Sequence, residues 1–165
     1  MIRRGTLSDI PFIMEMVAET IQIMKEEQND QWSEVYPTHD IFEKDVEEGS
    51  LYVIEEDKTT IGSITIDQNE AEEYRGIQWR NRQGKAFVFH RLVVKPHLRK
   101  KGIASRLISF AEQTAREHGV YYMKIDTYSL NEKAQRTFEK NGYQKVGEME
   151  FHGKSHPFYC YDKFL

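Results

Sequence analysis

Apolar positions change their period several times along this chain, and each change marks an element. Ile10, Ile13, Met14, Val17, Ile21 and Met24 recur at the spacing of one helical face. Thr6, Ser8 or Asp9 supplies the cap of that helix, and Pro11 falls in its first turn, where a missing N–H is tolerated. Residues 2–6 ahead of it read as a short strand. A polar segment over 27–37, centred on Trp32 and Tyr36, is broken by Pro37, and a second helix is predicted over 39–48, stopped by Gly49. Residues 51–55 and 60–67 then form a hairpin around Glu56-Asp57-Lys58-Thr59. A polar excursion over 68–84 carries Tyr74, Ile77 and Trp79.

The second half alternates strand and helix. Residues 85–94 are an apolar strand. Residues 102–118 are an amphipathic helix, with Ile103, Ala104, Leu107, Ile108, Ala111 and Ala115 on one face and Gly119 as C-cap. Residues 121–128 form the next strand, with Tyr122, Lys124 and Asp126 alternating against Met123, Ile125 and Thr127. Ser129-Leu130-Asn131-Glu132 has the form of a capping box. The helix it opens ends near Lys140, and residues 144–151 and 158–164 close the chain as a hairpin. The order of elements predicts an α/β fold in a single domain over residues 1–165.

Composition narrows the function classes. With 165 residues, 39% hydrophobic and 30% charged, the chain has the size of one domain with its own core. No apolar run approaches the ~18 residues of a membrane span. The N-terminus runs into polar sequence without a secretory apolar region. The single cysteine, Cys160, excludes an internal disulfide and fits a reducing compartment. A cytoplasmic protein without membrane attachment is expected. The net charge of −4 hides an asymmetry. Residues 1–84 carry 8 Lys and Arg against 19 Asp and Glu, whereas residues 85–165 carry 15 against 8. The acidic half attracts a cation and the basic half an anion. No basic stripe is interleaved with aromatics, so nucleic acid is not an expected partner. His152, His156 and Cys160 recur every four residues, but Pro157 places them on a turn and a strand without a fourth ligand, and no metal is expected.

The most informative stretch is Leu92-Val93-Val94-Lys95-Pro96-His97-Leu98-Arg99-Lys100-Lys101-Gly102-Ile103-Ala104. A strand ends, a basic turn follows, and Gly102 opens a helix. The first N–H groups of a helix have no intrahelical acceptor and bind anions well. Gly102 and the small Ala104 allow close approach of a ligand to backbone, and Arg99, Lys100 and Lys101 add positive charge. The design suits a phosphorylated ligand. A nucleotide P-loop (Gly-x-x-x-x-Gly-Lys-Ser/Thr) and a dinucleotide fingerprint (Gly-x-Gly-x-x-Gly) are both missing from the sequence.

Arg99-x-x-Gly102-x-Ala104 after Leu-Val-Val-x-Pro resembles the acetyl-CoA-binding signature of the GNAT N-acetyltransferases. A second stretch, Asn131-Glu132-Lys133-Ala134-Gln135-Arg136-Thr137-Phe138-Glu139-Lys140-Asn141-Gly142-Tyr143, is similar to the family's Asn-x-x-Ala-x-x-x-Tyr/Phe-Glu-Lys-x-Gly-Phe/Tyr segment. Together the two cover about residues 85 to 147. The resemblance implies a mixed central sheet, splayed between the fourth and fifth strands and flanked by helices. It implies acetyl-CoA as co-substrate, held by Leu92, Val93 and Val94 along its pantetheine arm, by Arg99, Lys100, Lys101, Gly102, Ile103, Ala104 and Ser105 at its phosphates, and by Asn131 at its amides. Asn131 also reads as a helix N-cap. The implied reaction is direct attack by a primary amine in a ternary complex. The acceptor is a small cationic amine, an N-terminus or a lysine, and a homodimer is admitted.

His90 lies on the strand over 85–94, where residues 88, 90, 92 and 94 share one face by alternation. An imidazole suits a general base for an ammonium substrate, and some members of the family place Glu or His there. Hydrogen bonding within the sheet is the plainer reading. The position that often holds a general-acid tyrosine is Phe138, which leaves the acid role unassigned; Tyr128 and Tyr143 are only neighbours in sequence. Trp32, Glu34 and Tyr36 fall where the family walls its acceptor pocket, and an aromatic pair with a carboxylate suits an ammonium group. Their alternative role is to cover the core. Asp67, Glu72 and Glu73 are weaker candidates. Two other functions stay open, a non-catalytic acyl-CoA sensor and a module whose basic turn binds an acidic partner.

Overall fold

Helix α1 forms over Ile10–Glu26 and buries Ile10, Ile13, Met16, Val17, Thr20, Ile21 and Met24. Met14, expected on that face, sits partly buried at its rim, because the buried stripe is centred nearer Met16. Helix α2, His39–Glu47, ends just before Gly49, which is left-handed at φ +70°. The computed structural model describes residues 1–82 and 84–165; Gln83, inside the polar excursion, lies outside them. The chain divides into two compact units, Met1–Ile66 with Phe89–Phe110, and Asp67–Val88 with Ala111–Leu165.

In the first unit, strands β1 (Ile2–Arg4), β2 (Leu51–Glu56) and β3 (Thr59–Asp67) pair antiparallel in sequence order. The β2–β3 turn places Asp57 and Lys58 at φ +50° and +62°, the double left-handed pattern that matches strand twist in tight hairpins. The core joins the buried face of α1 to Trp32, Phe42, Leu51, Val53 and Val93.

A buried carboxylate ties the start of this unit together. Asp9 accepts both terminal nitrogens of Arg3 at 2.9 Å, the Thr6 N–H at 2.8 Å and the Thr60 hydroxyl at 2.9 Å. Burial alone raises its pKa, but the bonds from Arg3, Thr6 and Thr60 outweigh it and hold the carboxyl at about 2. A depressed carboxylate contributes stability that is full above its unfolded pKa near 3.8 and is lost as pH falls through about 2. Asp9→Asn is therefore expected to lose about 2 kcal/mol at neutral pH, with a smaller gap to wild type near pH 2. Denaturant melts at both pH values check this.

Strand β4 (Phe87–Val94) is followed by helix α3 (Ile103–Glu117), strand β5 (Tyr122–Tyr128), helix α4 (Glu132–Lys140) and strands β6 (Gln144–Met149) and β7 (Phe158–Phe164). The sheet order is β1-β2-β3-β4-β5-β7-β6. Strands β4 and β5 are parallel, in register at Phe87↔Met123 and Val88↔Lys124, while β7 is antiparallel to both β5 and β6. The sheet is therefore mixed, as the family resemblance implies.

In the second unit the polar excursion is not a loose loop. Tyr74 and Trp79 are core residues, packed with Val88, Tyr128, Met149, Phe158 and Cys160. Its polar groups meet partners on β5 and β7. Arg80 Nε donates to Asp162 at 2.7 Å, the Tyr74 hydroxyl donates to Asp126, and Lys124 reaches Glu70 at 2.7 Å while lying over the Trp79 ring. Strand β5 consequently buries Lys124 as well as its apolar residues, so its polar alternation does not mark a solvent face. Helix α4 is capped by Asn131, whose Oδ1 accepts the Ala134 N–H at 3.1 Å. The Ser129–Glu132 box is displaced because Ser129 N–H bonds Pro157 O instead.

Candidate active site

The basic turn leaves β4 through Lys95, whose N–H donates to Ile61 O at 2.9 Å. One 3₁₀ turn follows, Pro96–Leu98. Lys100 and Gly102 are then both left-handed, at φ +71° and +75°, flanking Lys101. The first helical bond of α3 runs from Arg106 N–H to Gly102 O at 3.0 Å. The N–H groups of Ile103, Ala104 and Ser105 thus precede the first intrahelical donor, Arg106, and lie at the positive end of the helix dipole. Apart from its chain neighbours, no described atom comes within 4 Å of the place a Cβ on Gly102 would take, so the turn is open at Gly102. Lys100 and Lys101 are exposed.

Arg99 behaves differently from its two neighbours. Its Nη2 donates to the Thr20 hydroxyl of α1 at 3.0 Å. Burial lowers its pKa from the ordinary arginine value, with Glu27 opposing. Its visible work is to pin the turn to α1, and the exposed charge of the turn comes from the two lysines.

On β4, His90, Arg91 and Leu92 are half-buried between buried Phe89 and buried Val93 and Val94. Arg91 is left-handed at φ +50°. Such a residue inside a strand marks a bulge, so the simple alternation that put residues 88, 90, 92 and 94 on one face does not carry across it. The Arg91 side chain, 14% exposed, forks onto Asp45 of α2, Nε to Oδ2 at 2.9 Å and Nη2 to Oδ1 at 2.8 Å. Its third nitrogen, Nη1, donates to the Tyr36 hydroxyl at 3.1 Å. Asp45 also accepts the Thr65 hydroxyl at 2.7 Å. Burial works against the Arg91 charge, but Tyr36 and Asp45 outweigh it and hold its pKa above the ordinary range.

Neither Arg91 nor Asp45 was among the residues singled out in the sequence. The available signal was an arginine in the middle of an apolar strand, which needs a buried partner.

Trp32, Glu34 and Tyr36 have three different surroundings. Trp32, 8% exposed, belongs to the core of the first unit. Tyr36 packs against that core and reaches Arg91. Glu34 is in solvent, its side chain 77% exposed and 3.1 Å from Lys25; its own backbone N–H and Lys25 hold its carboxyl below the usual range. Residues 33–36 form a closed turn, with Ser33 N–H to Tyr36 O at 2.9 Å and Tyr36 N–H to Ser33 O at 3.2 Å. The structure thus links Tyr36 to β4, keeps Trp32 in the core, and leaves Glu34 outside.

In the second unit, Asn131 is the α4 cap, its Oδ1 accepting the Ala134 N–H. Phe138 is buried, its ring centroid 5.6 Å from Tyr161 and 6.3 Å from Tyr143. Tyr143 donates to Glu112 at 3.1 Å, and burial with the charge of Glu112 pushes its phenol far up. Tyr128 is buried in the second core. Burial, with Asp126 adding, pushes the Cys160 thiol up to about 12, so it stays protonated at neutral pH. His152 stacks on Phe151 at 3.8 Å, and His156 Nδ1 lies 3.1 Å from Ser155 Oγ. Asp67 Oδ1 accepts the Asn69 N–H, while Glu72 and Glu73 are exposed.

The sequence pattern describing the acetyltransferase (GNAT) family matches residues 18–143, a span that includes the basic turn, β4 and Asn131. The chain belongs to the GNAT acetyltransferase family. A crystal structure from Staphylococcus aureus is 34% identical, covers 99% of this chain and 98% of that one, and superposes with a TM-score of 0.79. An acetyltransferase of Agrobacterium fabrum is 34% identical over 95 residues, 58% of this chain and 66% of that protein, just under two thirds. The S-(2-succino)cysteine N-acetyltransferase of Bacillus subtilis is 28% identical over 121 residues, 71% of this chain and 67% of that enzyme. Among the described residues of this GNAT chain, no helix is long and apolar enough to cross a membrane.

Proposed function

We propose that the chain is an acetyl-CoA-dependent N-acetyltransferase that moves acetyl directly to a primary amine. One observation carries the reading, the open basic turn in which left-handed Lys100 and Gly102 deliver the chain into the N-terminus of α3. The N–H groups of Ile103, Ala104 and Ser105, with Lys100 and Lys101, hold the phosphates. Arg99 sets the turn through Thr20. Backbone of Leu92, Val93 and Val94 lines the acyl arm, and Asn131 serves its amides. When bound, acetyl-CoA supplies a thioester carbonyl open to attack by an unprotonated amine.

His90 takes the proton that the ammonium must lose before it attacks. Holding the amine beside the acyl group makes the attack effectively intramolecular. Donors on the Leu92–Val94 backbone polarise the carbonyl as an oxyanion site does. The buried phenol of Tyr143 is committed to Glu112 and the thiol of Cys160 is held protonated. We therefore assign no side-chain acid, and coenzyme A leaves as a thiolate, a tolerable leaving group near neutral pH. The cytoplasm is the proposed location, and a homodimer the proposed assembly.

The acceptor is proposed to be cationic, drawn by the acidic excess over residues 1–84. Glu34 is the exposed carboxylate on the turn that Tyr36 closes. Glu34→Gln is expected to raise KM for a cationic amine severalfold and to leave KM for acetyl-CoA unchanged, as steady-state kinetics with each substrate varied in turn will measure. Equal changes in both constants would return Glu34 to a surface role.

A further inference from the structure

The Arg91 network joins four separate segments of the first unit. Its guanidinium spends two nitrogens on Asp45 of α2 and the third on Tyr36, at the end of the turn over 33–36, while Asp45 takes a further bond from Thr65 of β3. At its other end, Arg91 is the left-handed residue of β4, directly between His90 and Leu92. A left-handed residue with a side chain persists only where its surroundings over-determine it. Glycine takes this backbone without penalty; what arginine adds is the three-pronged tie.

We propose that Arg91 and Asp45 are positioning residues that clamp the acceptor-side turn, through Tyr36, to the kink of β4 beside His90. The inference rests on the acetyltransferase reading above. Its physical basis is the geometry of the fork. Two parallel N–H···O bonds fix the plane of a guanidinium as well as its distance. The third nitrogen then presents Tyr36 at one orientation, and the backbone of residue 91 is held in the same frame. Movement of the turn is thereby coupled to the segment that carries the base. Asp45 is buried, so loss of Arg91 would leave a buried carboxylate without its cation.

The clamp predicts a split between kinetic constants. Thiol release from acetyl-CoA is followed with spermidine, L-lysine and a lysine-bearing hexapeptide as amine probes, and acetyl-CoA affinity is read by calorimetry. Tyr36→Phe keeps the ring and removes one bond to a charged group. It is expected to raise amine KM about tenfold with acetyl-CoA affinity unchanged. Asp45→Asn is expected to lower kcat by about 10²-fold, the size of a misplaced reacting group, again without loss of acetyl-CoA affinity. Arg91→Gly, which keeps the left-handed backbone, should regain part of its turnover when guanidinium ion is added and none with sodium at equal ionic strength. Should Arg91→Gly fail to fold, Tyr36→Phe and Asp45→Asn decide the matter. Wild-type amine KM in Tyr36→Phe, or acetyl-CoA affinity falling as far as turnover in Asp45→Asn, overturns the clamp and leaves the acetyltransferase reading standing. A wild-type protein that neither binds acetyl-CoA nor acetylates any probe overturns both.

Discussion

His90→Ala is expected to lower kcat by about 10²–10⁴-fold, the range assigned to general-base catalysis. His90 stands half-buried on β4, next to the left-handed Arg91, where strand backbone is bent rather than regular. The residual rate of His90→Ala should climb at high pH, where free amine is abundant without help. His90→Gln separates chemistry from positioning, since glutamine forms hydrogen bonds but takes no proton. It should behave like alanine. Near-wild-type turnover in His90→Gln would make His90 a sheet residue and pass deprotonation to water or to an acidic side chain.

Gly102→Glu should weaken acetyl-CoA binding by about 10²-fold or more, because a negative charge is placed where phosphate oxygens are proposed to lie. The site has room, with no atom within 4 Å of the added Cβ, but its φ of +75° strains any L side chain. The strain affects folding too, by about 1 kcal/mol. Gly102→Ala is therefore the companion variant. It carries the same strain without the charge, and the difference in acetyl-CoA affinity between the two, read by calorimetry beside their thermal melts, is the electrostatic part. Equal affinity for both variants would move the phosphates elsewhere.

The periodic elements were legible in the sequence because period and burial coincide there. The stripe of α1, the Asp57-Lys58 hairpin turn and the stop at Gly49 all follow from local chemistry, and so does the turn from Val94 into α3. The family motifs fall on that turn and on α4, and the match over residues 18–143 agrees with them. What remained hidden depends on pairing across the chain. Residues 68–84 look like solvated loop by hydropathy, yet Tyr74 and Trp79 are core and Arg80 answers Asp162. The strand position of Arg91 shows that a carboxylate is needed, but only the fold selects Asp45 from the chain's 27 acidic residues. Arg99 shows the converse. Its charge belongs to the turn in sequence, while its guanidinium is committed to Thr20.

Amine-dependent turnover of acetyl-CoA is the defining property of the proposed enzyme. Incubation of the full chain with acetyl-CoA and a panel of polyamines, amino acids and peptides, with free thiol and acetylated amine quantified together, tests it most directly. Thiol release is expected to require an amine, to match the acetylated product one for one, and to fall in both Gly102→Glu and His90→Ala. Saturable acetyl-CoA binding with no amine-dependent thiol across the panel would contradict it and make the chain an acyl-CoA sensor.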